Sequence, residues 1–299
     1  MRRVPARSPV GLPREPASGV RYASGLEAVK ARIKTVKNIK KITSAMKLVA
    51  ASKLRVAQTA TEASRGLATP LTKLIGDHPS LESSKCLTMA VTSDRGLCGG
   101  INSTVSKYTR AVSKMDGMGE DHRLVVVGEK GRSQLQRDLG KQFAMSITDT
   151  AKTKLTFASA AMIAEEVLKE EPEVVRMIFN RFVSAISYKP TVATALGPVQ
   201  MQEALAATGK IQQYEMEGPE TEEELCRDLA EFQMATLVFN SLLENNCSEN
   251  ASRMSAMESS TKNASEMIDK LSLSYNRARQ AAITTELIEI ISGAAALEG

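Results

Sequence analysis

The stretch SDRGLCGGINS, Ser93 to Ser103, is the part of the chain best equipped for chemistry. Gly96, Gly99 and Gly100 leave backbone N–H groups uncovered, and a turn of that kind opening a helix can cradle a phosphate. Asp94 and Arg95 add one charge of each sign. The pattern is neither G-x-G-x-x-G nor a Walker A loop, because no Gly-Lys-Ser/Thr follows, and no acid stands out as a ribose ligand. A tight strand-to-helix turn explains the same residues without any ligand.

Other reactive side chains are sparse. Cys98 sits beside a helix start, where a thiol pKa can fall, but no histidine is near it in sequence and a small buried filler is the plainer role. Cys86, Cys98, Cys226 and Cys247 form no C-x-x-C and share no metal-ligand spacing with histidine. Free thiols in a reducing compartment follow. The two histidines, His78 and His122, lie in polar, turn-like contexts. Nothing here supports catalysis, a metal centre or a bound cofactor.

A different chemistry is offered by KNIKKITSAMKLVAASKLR, Lys37 to Arg55, which holds lysines and no acid. Lys30, Lys34, Lys37 and Lys41 form a cationic stripe at helical spacing. A solvated helix face explains it, and a contact with an acidic protein surface is the alternative. Nucleic acid fits less well, since no aromatic residues interleave for base stacking. The net charge of +5 is also local. Residues 1–25 carry five arginines and one acid, leaving 34 basic and 33 acidic residues in the remainder. That arginine-rich, lysine-free segment with three serines reads as a mitochondrial presequence. Pro5, Pro9, Pro13 and Pro16 oppose the usual amphipathic helix. A chloroplast signal or a disordered basic tail are the other readings.

The elements that carry these residues fall into three parts. A helix is expected from Leu26 to about Ala60, with an apolar seam at Leu26, Val29, Ile33, Val36, Ile39, Ile42, Met46 and Val49 that contains one short step around Ile39. From Cys86 to Ala195, strand patterns (CLTMAVTSD, RLVVVG, FAMSIT, VVRMIFNRF) alternate with helices at Ile101–Met115, Arg132–Leu139 and Phe157–Glu170. This predicts an α/β layer with a largely parallel sheet. ISYKPTVATAL follows as an antiparallel edge strand, the position that suits Pro190. Residues 199–226 read as an acidic connection with weak helical content. Beyond it, Met254, Met257, Thr261, Ala264, Ile268, Leu271, Tyr275, Ala278 and Ala282 step by three and four without exception. A break near NNCSEN is expected, because Asn and Ser compete for backbone hydrogen bonds.

The segment 26–55 has nine basic residues and one acid, whereas 227–299 has six basic and ten acidic residues. Opposite charge beside two seams favours an antiparallel pair. The fold class is therefore α/β, a Rossmann-like domain inserted between two long terminal helices that form an antiparallel coiled coil. The division is 1–25 presequence, 26–62 N-terminal helix, 80–198 α/β domain, 199–226 connection and 227–299 C-terminal helix. No apolar run of about 18 residues is present to span a membrane.

KNIKKITSAMKLVAASKLR, SDRGLCGGINS, FNRF with ISYK, and SENASRMSAMESSTKNASEMIDKLSLSYNRARQAAITTELIEIISGAAAL together resemble the γ subunit of F-type ATP synthase. The pieces lie in the family's order and reach nearly everything after residue 25. The resemblance implies a rotor shaft, not an enzyme, standing in a ring of alternating α and β subunits. The α/β domain would sit at the foot near the δ and ε subunits and the membrane c-ring, with nucleotide bound by the ring subunits. Membership implies a peripheral place on the matrix side of the mitochondrial inner membrane, with chloroplast thylakoid or bacterial membrane as alternatives. The cysteine-bearing insertion of chloroplast members is absent. By the same resemblance Arg279 and Gln280, with Met46, match the contact zone with the β catch loops, and Lys40 and Lys41 face acidic ring loops. Ile288, Ile291, Ala294 and Leu297 match the tip that turns in an apolar sleeve. Ser44 and Thr285 depart from the family pattern, where many members carry lysine or another polar or charged residue.

Overall fold

A computed structural model describes residues 18–77, 83–115, 122–150, 152, 154–209 and 221–298. The chain runs α1 (Ser18–Ile75), β1 (Cys86–Val91), α2 (Ile101–Val112), β2 (Arg123–Val127), α3 (Glu129–Leu139), β3 (Phe143–Ile147), α4 (Phe157–Leu168), β4 (Val174–Ser184), β5 (Ser187–Leu196), α5 (Pro198–Thr208) and α6 (Glu222–Glu298). It divides into two units. One holds Ser44–Ser259, and the other holds the chain up to Thr43 and from Ser260 onward.

In the larger unit the strands form one sheet in the order β3-β2-β1-β4-β5. The first four are parallel and β5 runs antiparallel at the edge beside β4. All six residues of β1 are buried, as expected of a central strand covered on both faces. Alternate residues sort by face. Leu87, Met89 and Val91 join Ala160 and Ala164 of α4 and Met234 and Val238 of α6. Ala90, Val126 and Ile178 face Val105 of α2 and Leu135 of α3 on the other side. Gly128 and Gly131 permit α3 to start against β1. Gly128 has φ +100°, and a Cβ there would come within 2.6 Å of the Thr92 hydroxyl. Gly131 instead takes that hydroxyl as partner for its N–H at 3.0 Å.

The two long helices run antiparallel in both units. In the larger one Ser64 meets Asn240, Thr61 meets the Leu243 carbonyl, and Lys47 meets Glu258. In the smaller one Thr43 meets Thr261 at 2.8 Å. Each step down α1 is matched by an equal step up α6. All nine C-terminal seam residues from Met254 to Ala282 are buried or half-buried.

Several expectations are corrected. α1 does not stop near Ala60. It continues through Pro70 to Ile75, and Gly76 ends it at φ +100°. A helical proline costs roughly 3 kcal/mol. Leu71 and Ile75 offset it by packing on Val174, Leu196, Met201 and Leu205. The α1 seam has no short step either. Ile39, Ile42 and Val49 are 46%, 59% and 57% exposed. The buried row is Val36, Thr43, Ala50, Ala57, Ser64 and Leu71, one every seventh residue. Nor does α6 break at NNCSEN. Asn245, Ser248 and Asn250 are buried there, with partners for their polar atoms within helical geometry. The connection after residue 198 begins as a regular helix, α5, and ends at Gly209 with φ +62°. Residues 1–17 of the expected presequence, His78, and residues 210–220 lie outside the described residues.

Candidate functional site

A doubly wound sheet has one natural ligand crevice, at the carboxyl ends of the strands where the order reverses. Here that point lies between β1 and β4, and the Ser93–Ser103 turn leaves the sheet beside it. Asp94 accepts the Glu129 N–H at 3.1 Å and so caps α3. The carbonyl of Arg95 accepts from the Ser93 hydroxyl and the Cys98 thiol. Gly99 has φ +63° and lies so close to α6 that a Cβ would reach within 3.0 Å of the Ser252 hydroxyl. Gly100 precedes α2, its carbonyl accepting the Thr104 N–H. Asn102 closes the turn through Ser93, with its amide oxygen accepting the Ser93 N–H and its amide nitrogen donating to the hydroxyl.

The crevice is filled by the chain itself. From α6, Ser252 donates to the Cys98 carbonyl at 2.6 Å and Arg253 to the Gly96 carbonyl at 3.4 Å. Asn245 donates to the Thr92 carbonyl at the end of β1 and accepts from Asn180 of β4. Ser248 donates to the Asn180 carbonyl. Two residues along β4, the Glu244 carboxylate accepts the Phe182 N–H at 2.8 Å and the Nε and one Nη of Arg65 from α1, at 2.6 and 2.8 Å. Arg65 also donates to the Phe182 carbonyl at 2.6 Å. The Glu244 side chain is 1% exposed. Beside it, Glu249 pairs with Arg253, and burial raises its carboxyl above the usual range. The turn thus presents carbonyls to a helix where a phosphate loop would present N–H groups to a ligand. Arg65 and Glu244 carry no signal in the sequence, and Asn245 and Ser248 stand out there only as an expected helix break at NNCSEN, not as partners of Asn180 and Thr92.

The remaining residues selected by sequence are dispersed. Lys40 and Lys41 are exposed on α1, Met46 is half-buried, and Arg279 and Gln280 are exposed on α6. At the end of α6, Ile288, Ile291, Ala294 and Leu297 are all exposed, Leu297 at 90%. Lys30, Lys34 and Lys37 are exposed too, so the lysine stripe faces solvent. The four cysteines are buried and unpaired. Cys86 lies 2.5 Å from an Arg176 guanidinium nitrogen, and burial still lifts its thiol above the ordinary value. His122 shares a hydrogen bond with Thr88, and burial lowers its pKa. A groove of about 1160 Å³ lies between α4, α5 and α6, lined by Phe157, Leu168, Pro198, Arg227 and Phe232 among others. None of the residues selected by sequence lines it.

The site thus belongs to an α/β domain whose own C-terminal helix bonds to the turn at its ligand crevice and packs on a second long helix. The comparisons with known proteins agree. Residues 25–297 match the family profile described as ATP synthase. The chain is 48% identical to the mitochondrial ATP synthase subunit gamma of Ipomoea batatas, covering 94% of this chain and 88% of that one. Identity to the Arabidopsis thaliana counterpart is also 48%, over 98% and 91%. A chain of the Tetrahymena thermophila mitochondrial ATP synthase central stalk and c-ring structure superposes with TM-score 0.60 at 30% identity, covering 73% of this chain and 98% of that one. A chain of the Euglena gracilis mitochondrial enzyme has the same fold, with TM-score 0.79 at 20% identity, covering 92% and 95%. The chain belongs to the ATP synthase gamma-subunit family.

Proposed function

We infer that the chain is the central rotor shaft of a mitochondrial ATP synthase. It is a non-catalytic subunit that couples proton-driven rotation of the membrane ring to ATP synthesis at the catalytic β subunits. The observation that carries this is 48% identity to mitochondrial gamma subunits over 94% of the chain, in a fold built on two unbroken helices of 58 and 77 residues. Its partners are the α and β subunits of the catalytic ring, with the δ and ε subunits and the c-ring at the foot. It is peripheral to the inner membrane on the matrix side. No described helix is long and apolar enough to cross a membrane.

The assignment of parts is our reading. Residues 1–25 act as the transit segment, 26–62 and 227–299 as the shaft, 80–198 as the foot domain and 199–226 as its connection. Arg279, Gln280, Lys40, Lys41 and Met46 contact the ring. Their exposure or partial exposure supports this, as do polar contacts that can form and release within a turnover. Ile288, Ile291, Ala294 and Leu297 serve as the bearing tip, which their exposure at the apolar end of α6 supports. Asp94, Arg95, Gly96, Gly99 and Gly100 serve as a structural turn that docks on α6. Native mass spectrometry of residues 26–299 mixed with mitochondrial α and β subunits tests the reading. A single copy bound in the ring complex is expected. A chain that stays alone, while the same ring accepts a known gamma subunit, contradicts it.

A further inference from the structure

The polar network between α1, β4, β1 and α6 does more than a core requires. Around it the packing is small and smooth. Leu54 and Ala57 of α1 meet Cys247 and Ala251 of α6 and Phe182 of β4. Apolar burial is non-directional. A helix seated only on such a surface can slide or roll under load with little change in buried area. Hydrogen bonds respond differently. A slide of one residue moves a helix about 1.5 Å, which stretches and misaligns bonds of 2.8 and 3.2 Å. It would strand the Glu244 carboxylate and the Asn180 amide, which are 1% and 0% exposed, where no water replaces the lost partner.

The bonds also converge from several elements onto one level. Arg65 joins α1 to α6 through Glu244 and to β4 through the Phe182 carbonyl. Asn245 joins α6 to the end of β1 and to Asn180 within β4. Ser248 fixes the next turn of α6 to the same residue of β4. A junction of buried hydrogen bonds drawn from several directions resists relative twist as well as sliding.

We propose that Arg65, Asn180, Glu244, Asn245 and Ser248 form a torsion lock. They are positioning residues that fix the α/β domain to both long helices, so that load entering the domain reaches the helices without slip. The inference rests on the rotor reading. It adds the place within this chain where foot and shaft are joined.

The test uses the full chain assembled with α, β and the remaining subunits including the c-ring, reconstituted in vesicles. ATP hydrolysis and proton pumping are measured on one preparation. Asn245→Ala with Ser248→Ala removes the bonds to the sheet. Arg65→Lys keeps the charge but loses the fork that reaches Glu244 and Phe182 together. In assembled complexes hydrolysis persists, because the ring still turns its shaft, while protons pumped per ATP fall about threefold. Glu244→Gln, whose amide oxygen still accepts the Phe182 N–H, retains more pumping per ATP than Glu244→Ala. Either of the first two variants assembling and pumping as many protons per ATP as the parent overturns the lock. So does failure of both to assemble, which would make the network a folding requirement alone. A parent chain that neither assembles nor pumps removes the rotor reading, and the lock with it. Slip in the variants beside a coupled parent is specific to the lock.

Discussion

The reactive side chains of this protein are withheld from solvent. Cys86, Cys98, Cys226 and Cys247 are each 2% exposed or less. Burial pushes the Cys247 thiol up to about 11. Thiols that are both inaccessible and protonated react slowly. Alkylation of the native chain near neutral pH should therefore label none of them, and unfolding should expose all four. Rapid labelling of the native protein would contradict their burial. Glu173 behaves in the opposite way. Its carboxylate accepts from the Ser83 and Ser84 hydroxyls and from the N–H groups of Ser84 and Lys85, which hold it below the usual glutamate range. The folded value lies below the unfolded one, so its contribution is complete above the unfolded value and is lost as pH falls through the folded one. Acid unfolding followed below about pH 5 should be steeper for the parent than for Glu173→Gln. Parallel curves would show that these bonds carry no linkage.

The elements show which parts of the fold were legible. The C-terminal seam was readable because its apolar residues keep the three-four step from Met254 to Ala282. The sheet was readable because its central strands, CLTMAV and RLVVV, are short and mostly apolar. The N-terminal seam misled from Ile39 onward. The helix buries Thr43, Ala50, Ala57, Thr61 and Ser64 and leaves Ile39, Ile42, Val49 and Val56 outside. Close helix packing selects small residues, while residue hydrophobicity points to the larger ones. The polar crevice was illegible for a related reason. Asn245 and Ser248 resemble helix breakers in sequence, and their partners, Thr92 just after β1 and Asn180 in β4, are remote in the chain. The register gives a direct comparison. Leu54→Ala, at a site 7% exposed, should cost about 2–3 kcal/mol in chemical denaturation. Val56→Ser, at a site 72% exposed, should stay within about 0.5 kcal/mol. Equal losses would put the seam back on the larger residues.

At the scale of the whole molecule, the division of labour follows from where polarity is buried and where it is exposed. Buried polar groups join the α/β domain to the helices, while the lysines of α1 and the apolar end of α6 face outward. A shaft needs both, since its own parts must hold while its contacts with the ring exchange. The measurement that tests the account most directly is single-molecule rotation. Ile186, in the turn between β4 and β5, is 87% exposed. Ile186→Cys would supply the accessible thiol that the native chain lacks, and a bead attached there reports the motion of the α/β domain. With the chain assembled in an immobilised ring of α and β subunits and supplied with ATP, the bead should turn continuously in one direction. A ring that hydrolyses ATP while the bead remains still would contradict the central claim.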